Sequence, residues 1–437
     1  MSAHRPGALL PVCLLLTLLL SAAHWWRAGQ AGVALACLLW WSASLRRAAW
    51  MRPLTALLLL LLAAEWFLTA DQFIQLRQMR HQPWLRLALI LTATAAVTLL
   101  TALLVWGSRG RRWFSRHAES AGAQALCFLL VTALLLPLLV LSPRTLLLER
   151  FFPGLGPLQI VCAALWGAWL CRRLSDRQTA PVIRRRVWLL FSLVFFAQFA
   201  LGLAGQSAFS MSGEPHIPVP GVIIGGALYR GQPGFMVALF TLSVLTAGAA
   251  WCSHLCYFGS WDQLAASRTR PTPHPHPFRL RSLSLLATCA CALLLRACGA
   301  PSAPAVAGGL LLGISLVPAA LLFSRRRGYA VYCTMICPLG ILACLLGRLS
   351  PWRVRRTSTC VQCGACLRAC RYGALDRLRE GREPGPSCVL CRDCLSACAH
   401  NGLCLRWAGK GGNGLAERAF VVIVSALHAV FLFTAMA

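Results

Sequence analysis

Residues 360–370 read Cys-Val-Gln-Cys-Gly-Ala-Cys-Leu-Arg-Ala-Cys, and residues 388–398 read Cys-Val-Leu-Cys-Arg-Asp-Cys-Leu-Ser-Ala-Cys. Both stretches have the spacing Cys-x2-Cys-x2-Cys-x3-Cys, and each cysteine of the second lies the same distance along the chain from its counterpart in the first. The likeness continues past each fourth cysteine, where Ala374-Leu375 is matched by Gly402-Leu403. An internal repeat of this kind indicates one small structural unit that has been duplicated.

This spacing is typical of a [4Fe–4S] cubane, which needs four thiolates around it. Three come from one tight loop, whose two-residue gaps let the chain wrap the cluster and direct backbone N–H groups at its sulfurs, and the fourth comes from the other repeat. The sequence therefore predicts two [4Fe–4S] clusters on a small α+β ferredoxin-like insert. The two predicted ligand sets are Cys360, Cys363, Cys366 and Cys398, and Cys388, Cys391, Cys394 and Cys370.

Zinc is the alternative metal for paired Cys-x2-Cys segments. A zinc site takes two such pairs per ion, whereas this chain has a triplet and a separate fourth cysteine, and has them twice. Clusters are therefore the preferred interpretation. The proline that usually follows the fourth cysteine is replaced by Arg371 and Ala399, which removes no ligand, and Cys404 lies just outside the pattern.

The rest of the chain has the composition of a membrane protein. Of 437 residues, 58% are hydrophobic and 12% are charged, whereas soluble domains carry about 25% charged residues. The apolar residues occur in long runs rather than in helix-period stripes, and a bilayer span needs about 20 of them. Eleven candidate spans are predicted, over 7–23, 28–45, 53–70, 85–106, 121–142, 154–171, 187–204, 233–251, 281–298, 305–323 and 415–436.

These runs predict an all-α polytopic membrane protein with four regions. They are an N-terminal transmembrane bundle over 1–204, a second transmembrane region over 205–345, the ferredoxin-like domain over 355–408 and a C-terminal transmembrane helix over 415–436. The first run has an alternative interpretation as a signal peptide, because Arg5 precedes it and the small residues at 21–23 follow it.

The net charge of +30 comes almost entirely from arginine. The arginines concentrate in the loops after every second span, which is the pattern of cytoplasmic loops. This pattern predicts a multi-pass protein of the inner (cytoplasmic) membrane, with the N-terminus, the segment 324–414 and both clusters on the cytoplasmic side. Because the arginines lie between apolar runs rather than along one groove, they indicate the orientation of the chain in the membrane and not nucleic-acid binding.

Two Cys-x3-Cys pairs lie at the ends of predicted spans. Cys252 and Cys256 end the eighth span, and Cys333 and Cys337 follow the tenth, so both pairs are predicted at one membrane face. Cysteines four apart share one face of an α-helix, and four such thiolates suit a further metal or cluster site or a dithiol relay. The alternative is that they are ordinary interfacial cysteines. We also expect Arg325, Arg326 and Arg327 to lower the pKa of these thiols.

Other redox cofactors lack a signal. The chain contains no Cys-x-x-Cys-His segment, which excludes c-type haem attachment, and His428 has no evident partner on another span. No haem is therefore expected. No Gly-rich nucleotide loop, hydrolase triad or flavin-binding domain is apparent either.

Together these residues resemble the NapH/NosR-type membrane polyferredoxins, which carry Cys-x3-Cys pairs at the membrane edge and a cytoplasmic double-cubane segment. The resemblance covers about 205–407, and the pairs Cys252/Cys256 and Cys333/Cys337 narrow it to this family. Tyr257 stands where the family often has proline, and the six N-terminal spans exceed those of the smaller members. The resemblance implies electron transfer across or along the membrane, often from quinol, or a role in assembling a metalloenzyme.

The leading interpretation is an iron–sulfur electron-transfer component rather than a stand-alone enzyme. It would pass electrons between cytoplasmic or quinone-pool donors and a respiratory or periplasmic partner, with membrane lipid, a redox partner protein and quinone as its contacts. The second interpretation is a redox-dependent accessory or regulatory protein for metalloenzyme assembly. A transporter with structural clusters is a third, but the predicted spans contain few acidic residues.

Overall fold

The computed structural model describes residues 9–209, 219–272, 277–380, 383–407 and 414–434. The chain forms two compact units, which divide between Ala168 and Trp169. Almost all regular structure in both units is helical, because most segments are long apolar runs whose backbone groups must be satisfied within the segment. The single sheet has two strands.

The first unit is built from seven helices and the first part of an eighth. Their bounds are α1 Leu9–Arg27, α2 Ala31–Ser44, α3 Met51–Met79, α4 Leu85–Trp106, α5 Ser108–Trp113, α6 Ala121–Leu141, α7 Leu147–Phe151 and α8 Gly156–Ser175. Trp40 of α2 packs against Trp50 and Phe128, and its indole N–H donates to Thr55 Oγ1 at 3.0 Å. This unit contains none of the predicted ligands.

The second unit contains the remaining helices and the sheet. Their bounds are α9 Ala180–Leu203, α10 Pro220–Arg230, α11 Phe235–Ala247, α12 Tyr257–Ala266, α13 Pro277–Ala297, α14 Ser302–Arg327, α15 Pro338–Leu346, β1 Trp352–Arg356, α16 Ala365–Ala369, α17 Asp393–Ser396, β2 Leu403–Trp407 and α18 Leu415–Phe433. Two π-helical turns, Trp251–Leu255 and Tyr332–Ile336, precede α12 and α15.

Nine helices in the described part of the chain are long and apolar enough to cross a membrane. The prediction of membrane-spanning helices is confirmed, but the count of eleven is not reached. The predicted span 28–45 is the 14-residue helix α2, which is too short. The predicted span 154–171 corresponds to α8, whose apolar run is weakened by Gln159 and ends in Arg172 and Arg173.

Helix α9 belongs to the second unit, although the sequence predicted an N-terminal bundle that reaches residue 204. The reason is a row of donors on one face of α9. Trp188 Nε1 donates to the carbonyl of Cys256 at 2.7 Å, and Ser192 Oγ donates to the carbonyl of Tyr257 at 2.7 Å. These bonds attach α9 to the start of α12.

The region predicted to be ferredoxin-like, residues 355–408, overlaps the two strands of the sheet. Strand β1 pairs antiparallel with β2, with Trp352 opposite Trp407 and Arg356 opposite Leu403. The predicted boundary at residue 408 lies outside the described residues. Trp352 is 1% exposed and packs on Phe420 of α18. The buried core around the sheet is therefore continuous with that of the neighbouring helices.

Candidate iron–sulfur centres

Four of the eight predicted cluster ligands surround one pocket. Its lining contains Cys370, Cys388, Cys391 and Cys394, with apolar side chains completing the wall. We call these four cysteines the proximal set. Cys370 and Cys394 are buried and the other two are half-buried. Burial raises the pKa of the Cys388 thiol to about 12, and the nearby Cys370 adds to the rise.

The loops that carry the two triplets have the same backbone conformation. Gln362 and Gly364 have φ of +56° and +72° in the first loop, and Leu390 and Arg392 have φ of +52° and +67° at the corresponding positions of the second. Left-handed residues are rare outside glycine, and alternating conformations of this kind turn successive N–H groups toward a concave, anion-binding surface. The repeated geometry is what two loops that wrap anionic clusters need.

The other four predicted ligands, Cys360, Cys363, Cys366 and Cys398, form the distal set. Cys363 is exposed and the remaining three are half-buried. The amide of Gly402 donates to Cys398 Sγ at 3.1 Å, and a Cβ on Gly402 would lie 2.8 Å from the Cα of Cys360. Glycine is therefore required where the two ends of the distal set approach each other.

A single metal ion has no site of its own here. Among the described residues, no three His, Cys, Asp or Glu side chains form a group that could hold one metal ion. A cubane is a cage of iron and sulfide, so its ligands surround a volume instead of meeting at a point. The pocket lined by the proximal set has this form. Tyr372 lines the same pocket, is 2% exposed, and has a hydroxyl without a hydrogen-bond partner, as expected for a donor directed at a cluster.

The membrane-edge cysteines, which we call the membrane set, lie in the two π-helical turns. The amide of Cys256 donates to the carbonyl of Trp251 at 3.0 Å, and the amide of Cys337 donates to that of Tyr332 at 2.9 Å. Each second cysteine then adopts an extended conformation and caps the next helix. The expectation of an α-helical face is therefore wrong, because π turns are wider than α turns.

The two halves of the membrane set are structural counterparts. Gly259 and Gly340 each stand three residues after the second cysteine. A Cβ on Gly259 would lie 2.9 Å from the carbonyl oxygen of Cys252, and one on Gly340 would lie 3.1 Å from that of Cys333. Glycine at both positions lets the helix that follows pack directly on the turn before it.

All members of the membrane set are at least partly buried in the protein. Cys252, Cys333 and Cys337 are 9%, 7% and 6% exposed, and Cys256 is half-buried. These values do not fit ordinary interfacial cysteines. Burial raises the pKa of the Cys337 thiol to about 12, the neighbouring Cys256 adds to the rise, and Arg281 opposes it. Arg325, Arg326 and Arg327, which were expected to lower the pKa of these thiols, are exposed, and the cation that lowers the pKa of Cys337 is the buried Arg281.

Arg281 is a buried cation beside the membrane set. It is 1% exposed, and it donates to the carbonyls of Cys333 and Gly340 and to Cys344 Sγ, the last at 3.2 Å. Within the described ranges it forms no ion pair with a carboxylate, and its Nε has no partner. A buried charge without a counter-charge is strongly unfavourable. A cluster held by four thiolates would supply the missing negative charge.

Arg184 joins the membrane set to the proximal set. It is 2% exposed, and one terminal nitrogen donates to the carbonyl of Ser253 at 2.9 Å while the other donates to Asp393 Oδ2 at 2.8 Å. Ser253 lies between Cys252 and His254, and Asp393 lies between Cys391 and Cys394. Ser253 Oγ also donates to the carbonyl of Val389 at 2.7 Å, next to Cys388. The segments that carry the two sets are therefore joined by one direct hydrogen bond and by the bridging side chain of Arg184.

Asp262 is hydrogen-bonded to the second π turn. Its carboxylate accepts from the amide of Cys333 at 2.8 Å and from the hydroxyl of Ser324. Burial raises the pKa of Asp262 to about 6, and these hydrogen bonds oppose the rise. It fixes the backbone at the first cysteine of the second pair.

Sequence reasoning missed the residues that organise the ligands. Arg184 and Arg281 were interpreted only as cytoplasmic charges, and Tyr372 and Asp262 were not singled out. One signal was available: the offset from Cys252 to Cys333 equals those from Cys256 to Cys337 and from Gly259 to Gly340. Equal offsets of cysteine and glycine predict two copies of one turn.

Comparison with known families bears on the membrane set. Residues 233–273 and 309–358 match the model of a 4Fe-4S binding domain. The match includes both Cys-x3-Cys pairs and ends before Cys360, so it does not reach the eight-cysteine repeat. No curated protein and no solved structure matches the chain. With the apolar helices, the match makes the chain an iron–sulfur membrane protein, and the predictions of 4Fe-4S binding and transmembrane helices are confirmed.

Proposed function

We propose that this chain carries electrons along a row of three iron–sulfur centres that ends at the membrane. The distal and proximal sets each hold one [4Fe–4S] cluster, and the membrane set holds a third, for a total of about twelve irons. When bound, a cluster of this kind takes up and releases single electrons. The protein is then a component of an oxidoreductase system of the NapH/NosR type.

The contact between Ser253 and Val389 is the observation that carries this proposal. It brings the backbone beside Cys252 against the backbone beside Cys388, and Arg184 spans the same two segments. Electron transfer needs centres held close together in fixed positions, and a site that served only folding would need no such link.

The chemistry of the side chains supports a cluster at the membrane set. Four thiols lie near one another and three of them are buried, a fully buried guanidinium beside them has no carboxylate partner among the described residues, and the matching family model is that of a 4Fe-4S binding domain. Arg281 would neutralise part of the charge of a thiolate-bound cluster, and Asp262 would hold the turn that presents Cys333. These roles need no residue outside the described ranges.

A cavity in the transmembrane region supports the quinone pool as one source of electrons. Its volume is about 660 Å³, it is lined mainly by apolar and small residues of α10, α13 and α14, and it reaches Tyr332, Ile336 and Pro338. Tyr332 precedes Cys333, and Ile336 and Pro338 flank Cys337. A lipophilic carrier there would contact the residues that hold the membrane set. Electrons would then pass between quinol or a cytoplasmic donor and a respiratory or periplasmic partner.

Spectroscopy of the purified protein, prepared without oxygen, tests the proposal. The wild type should contain about twelve irons, and the Cys256→Ser and Cys337→Ser variants about eight. Both variants should keep the signals of two reduced clusters but lose electron delivery to the membrane. Cys298→Ser, which alters an exposed cysteine, is the matched control. Zinc in place of iron, or full activity in the two variants, contradicts the proposal.

A further inference from the structure

The segments that carry the distal set form a surface whose own charged side chains are all basic, with Glu383 of a neighbouring segment paired to Arg355. The segments that form this surface, 352–370 and 398–407, contain no Asp or Glu. Their basic side chains, apart from His400, are Arg353, Arg355, Arg356, Arg368 and Arg406. The only cluster ligand of the described chain that is exposed, Cys363, belongs to the same surface. The centre nearest to solvent is therefore surrounded by positive charge.

Two of these arginines are exposed and form no ion pair with a described residue, and one of them, Arg368, lies beside the loop of the exposed ligand. Arg368 is exposed, and a Cβ built on Gly364, the residue after Cys363, would lie 3.9 Å from one of its terminal nitrogens. Arg356 is exposed at the end of β1, four residues before Cys360. Neither forms an ion pair with any described residue, whereas Arg355 pairs with Glu383. These two positive charges are free to attract a negatively charged partner.

The position of the sheet separates this surface from the bilayer. At the other end of β1, the indole N–H of Trp352 donates to the carbonyl of Thr246, close to the end of helix α11 within the apolar span Phe235–Leu255. Strand β1 runs away from that point, so Arg356 lies at the end remote from the span.

We propose that Arg356 and Arg368 form the docking site for a soluble one-electron carrier protein with an acidic face. The inference rests on the proposed function and identifies its cytoplasmic-side partner by charge. In the docked complex the reduced carrier loses one electron and the oxidised centre at the distal set gains it, and no bond forms or breaks. Opposite charge brings the two proteins together faster than diffusion of neutral surfaces would, by about tenfold or more at low ionic strength.

The test measures the rate of cluster reduction by stopped-flow bleaching, with the full chain in nanodiscs of zwitterionic lipid. The probe is a reduced acidic ferredoxin, and reduced methyl viologen, a small cation, is the comparison. In the wild type the ferredoxin rate should fall as salt is added, because salt screens surface charges over about 10 Å at 0.1 M. R356E/R368E should lose about tenfold in that rate at low salt and most of the salt dependence.

The control variant R325E/R326E changes two exposed arginines at the end of α14 and should keep the ferredoxin rate. The methyl viologen rate should not fall in R356E/R368E, which shows that its clusters are intact. Equal ferredoxin rates in the wild type and R356E/R368E overturn the docking site but leave the proposed function standing. Absence of iron overturns the proposed function itself. A salt effect that appears only in anionic nanodiscs assigns the surface to lipid and also overturns the docking site.

Discussion

The hydroxyl of Ser253 donates to the carbonyl oxygen of Val389 at 2.7 Å. This bond joins the segment of the membrane set to the segment of the proximal set, which lie far apart in the sequence. Ser253 lies within a π-helical turn at the end of a membrane span, and Val389 lies in a loop of the ferredoxin-like segment. Both residues are buried. The ferredoxin-like segment is thus held directly on the transmembrane helices.

Replacing Ser253 by alanine should weaken this junction. The loss of one buried hydrogen bond destabilises a protein by about 0.5–1.5 kcal/mol, and the Val389 carbonyl would be left without this donor. We expect a lower midpoint of thermal unfolding in detergent and slower electron transfer between the proximal and membrane sets. The iron content should stay unchanged. Ser267→Ala, which removes an exposed hydroxyl, is the control. An unchanged transfer rate contradicts a role of the contact in coupling.

Each of the two clusters should take its fourth ligand from the other repeat. Cys370 lines the pocket of the second triplet, so Cys370→Ser should alter the same EPR signal as Cys388→Ser. By the same reasoning, Cys398→Ser should alter the signal that Cys360→Ser alters. Cys404→Ser should alter neither, since Cys404 lies on β2 outside the pattern. If Cys370→Ser instead reproduces Cys360→Ser, each repeat holds its own cluster.

The glycines that follow the membrane set should tolerate alanine unequally. In Gly259→Ala the new Cβ would lie 2.7 Å from the Trp188 ring and 2.9 Å from the Cys252 carbonyl, whereas in Gly340→Ala the nearest atom is the Cys333 carbonyl at 3.1 Å. Overpacking of this kind destabilises by about 1–3 kcal/mol. Thermal unfolding should show a larger loss for Gly259→Ala. Gly308→Ala, where no atom lies within 4 Å, should be neutral.

Much of this arrangement follows from local sequence signals. The eight-cysteine spacing and the long apolar runs predict clusters and membrane helices because each depends on nearby residues. The contacts of Arg184 could not be predicted, since its partners Ser253 and Asp393 are far along the chain and their approach depends on tertiary packing. The π turns were missed for a related reason, because the Cys-x3-Cys spacing suits an α-helix equally well. The packing of α9 against α12 could not be predicted either, because hydropathy does not report which helices pack together.

Arg281 should tune the membrane-set centre through its charge. A buried cation favours the more negative, reduced state of a nearby cluster. Arg281→Gln should therefore shift the midpoint potential of that centre to more negative values, and Arg281→Lys should shift it less. The other two centres should keep their potentials. Redox titration followed by EPR measures all three. Equal potentials in the wild type and Arg281→Gln would show that the guanidinium serves packing alone.

Substitutions of Arg184 and Asp393 should have non-additive effects on stability, because the two side chains form a buried ion pair. Both side chains are nearly inaccessible to water, at 2% and 9% exposure, and their atoms are 2.8 Å apart. Removal of one partner from a buried pair leaves the other charge uncompensated and destabilises by about 3–5 kcal/mol. Asp393→Asn alone should therefore lower the midpoint of thermal unfolding markedly. The double variant Arg184→Met/Asp393→Asn should be more stable than Asp393→Asn, because no buried charge remains unpaired.

Because Arg184 also donates to the carbonyl of Ser253, the double variant should not recover everything. We expect it to regain stability but to remain slow in electron transfer between the proximal and membrane sets, since the bridge between Ser253 and Asp393 is gone. Arg186→Met, which alters an exposed arginine two positions along α9, should match the wild type in both measurements. Additive losses of stability in the double variant would mean that the pair does not interact in the folded protein. Full recovery of the transfer rate would instead show that Ser253 and Val389 suffice to hold the two centres in place.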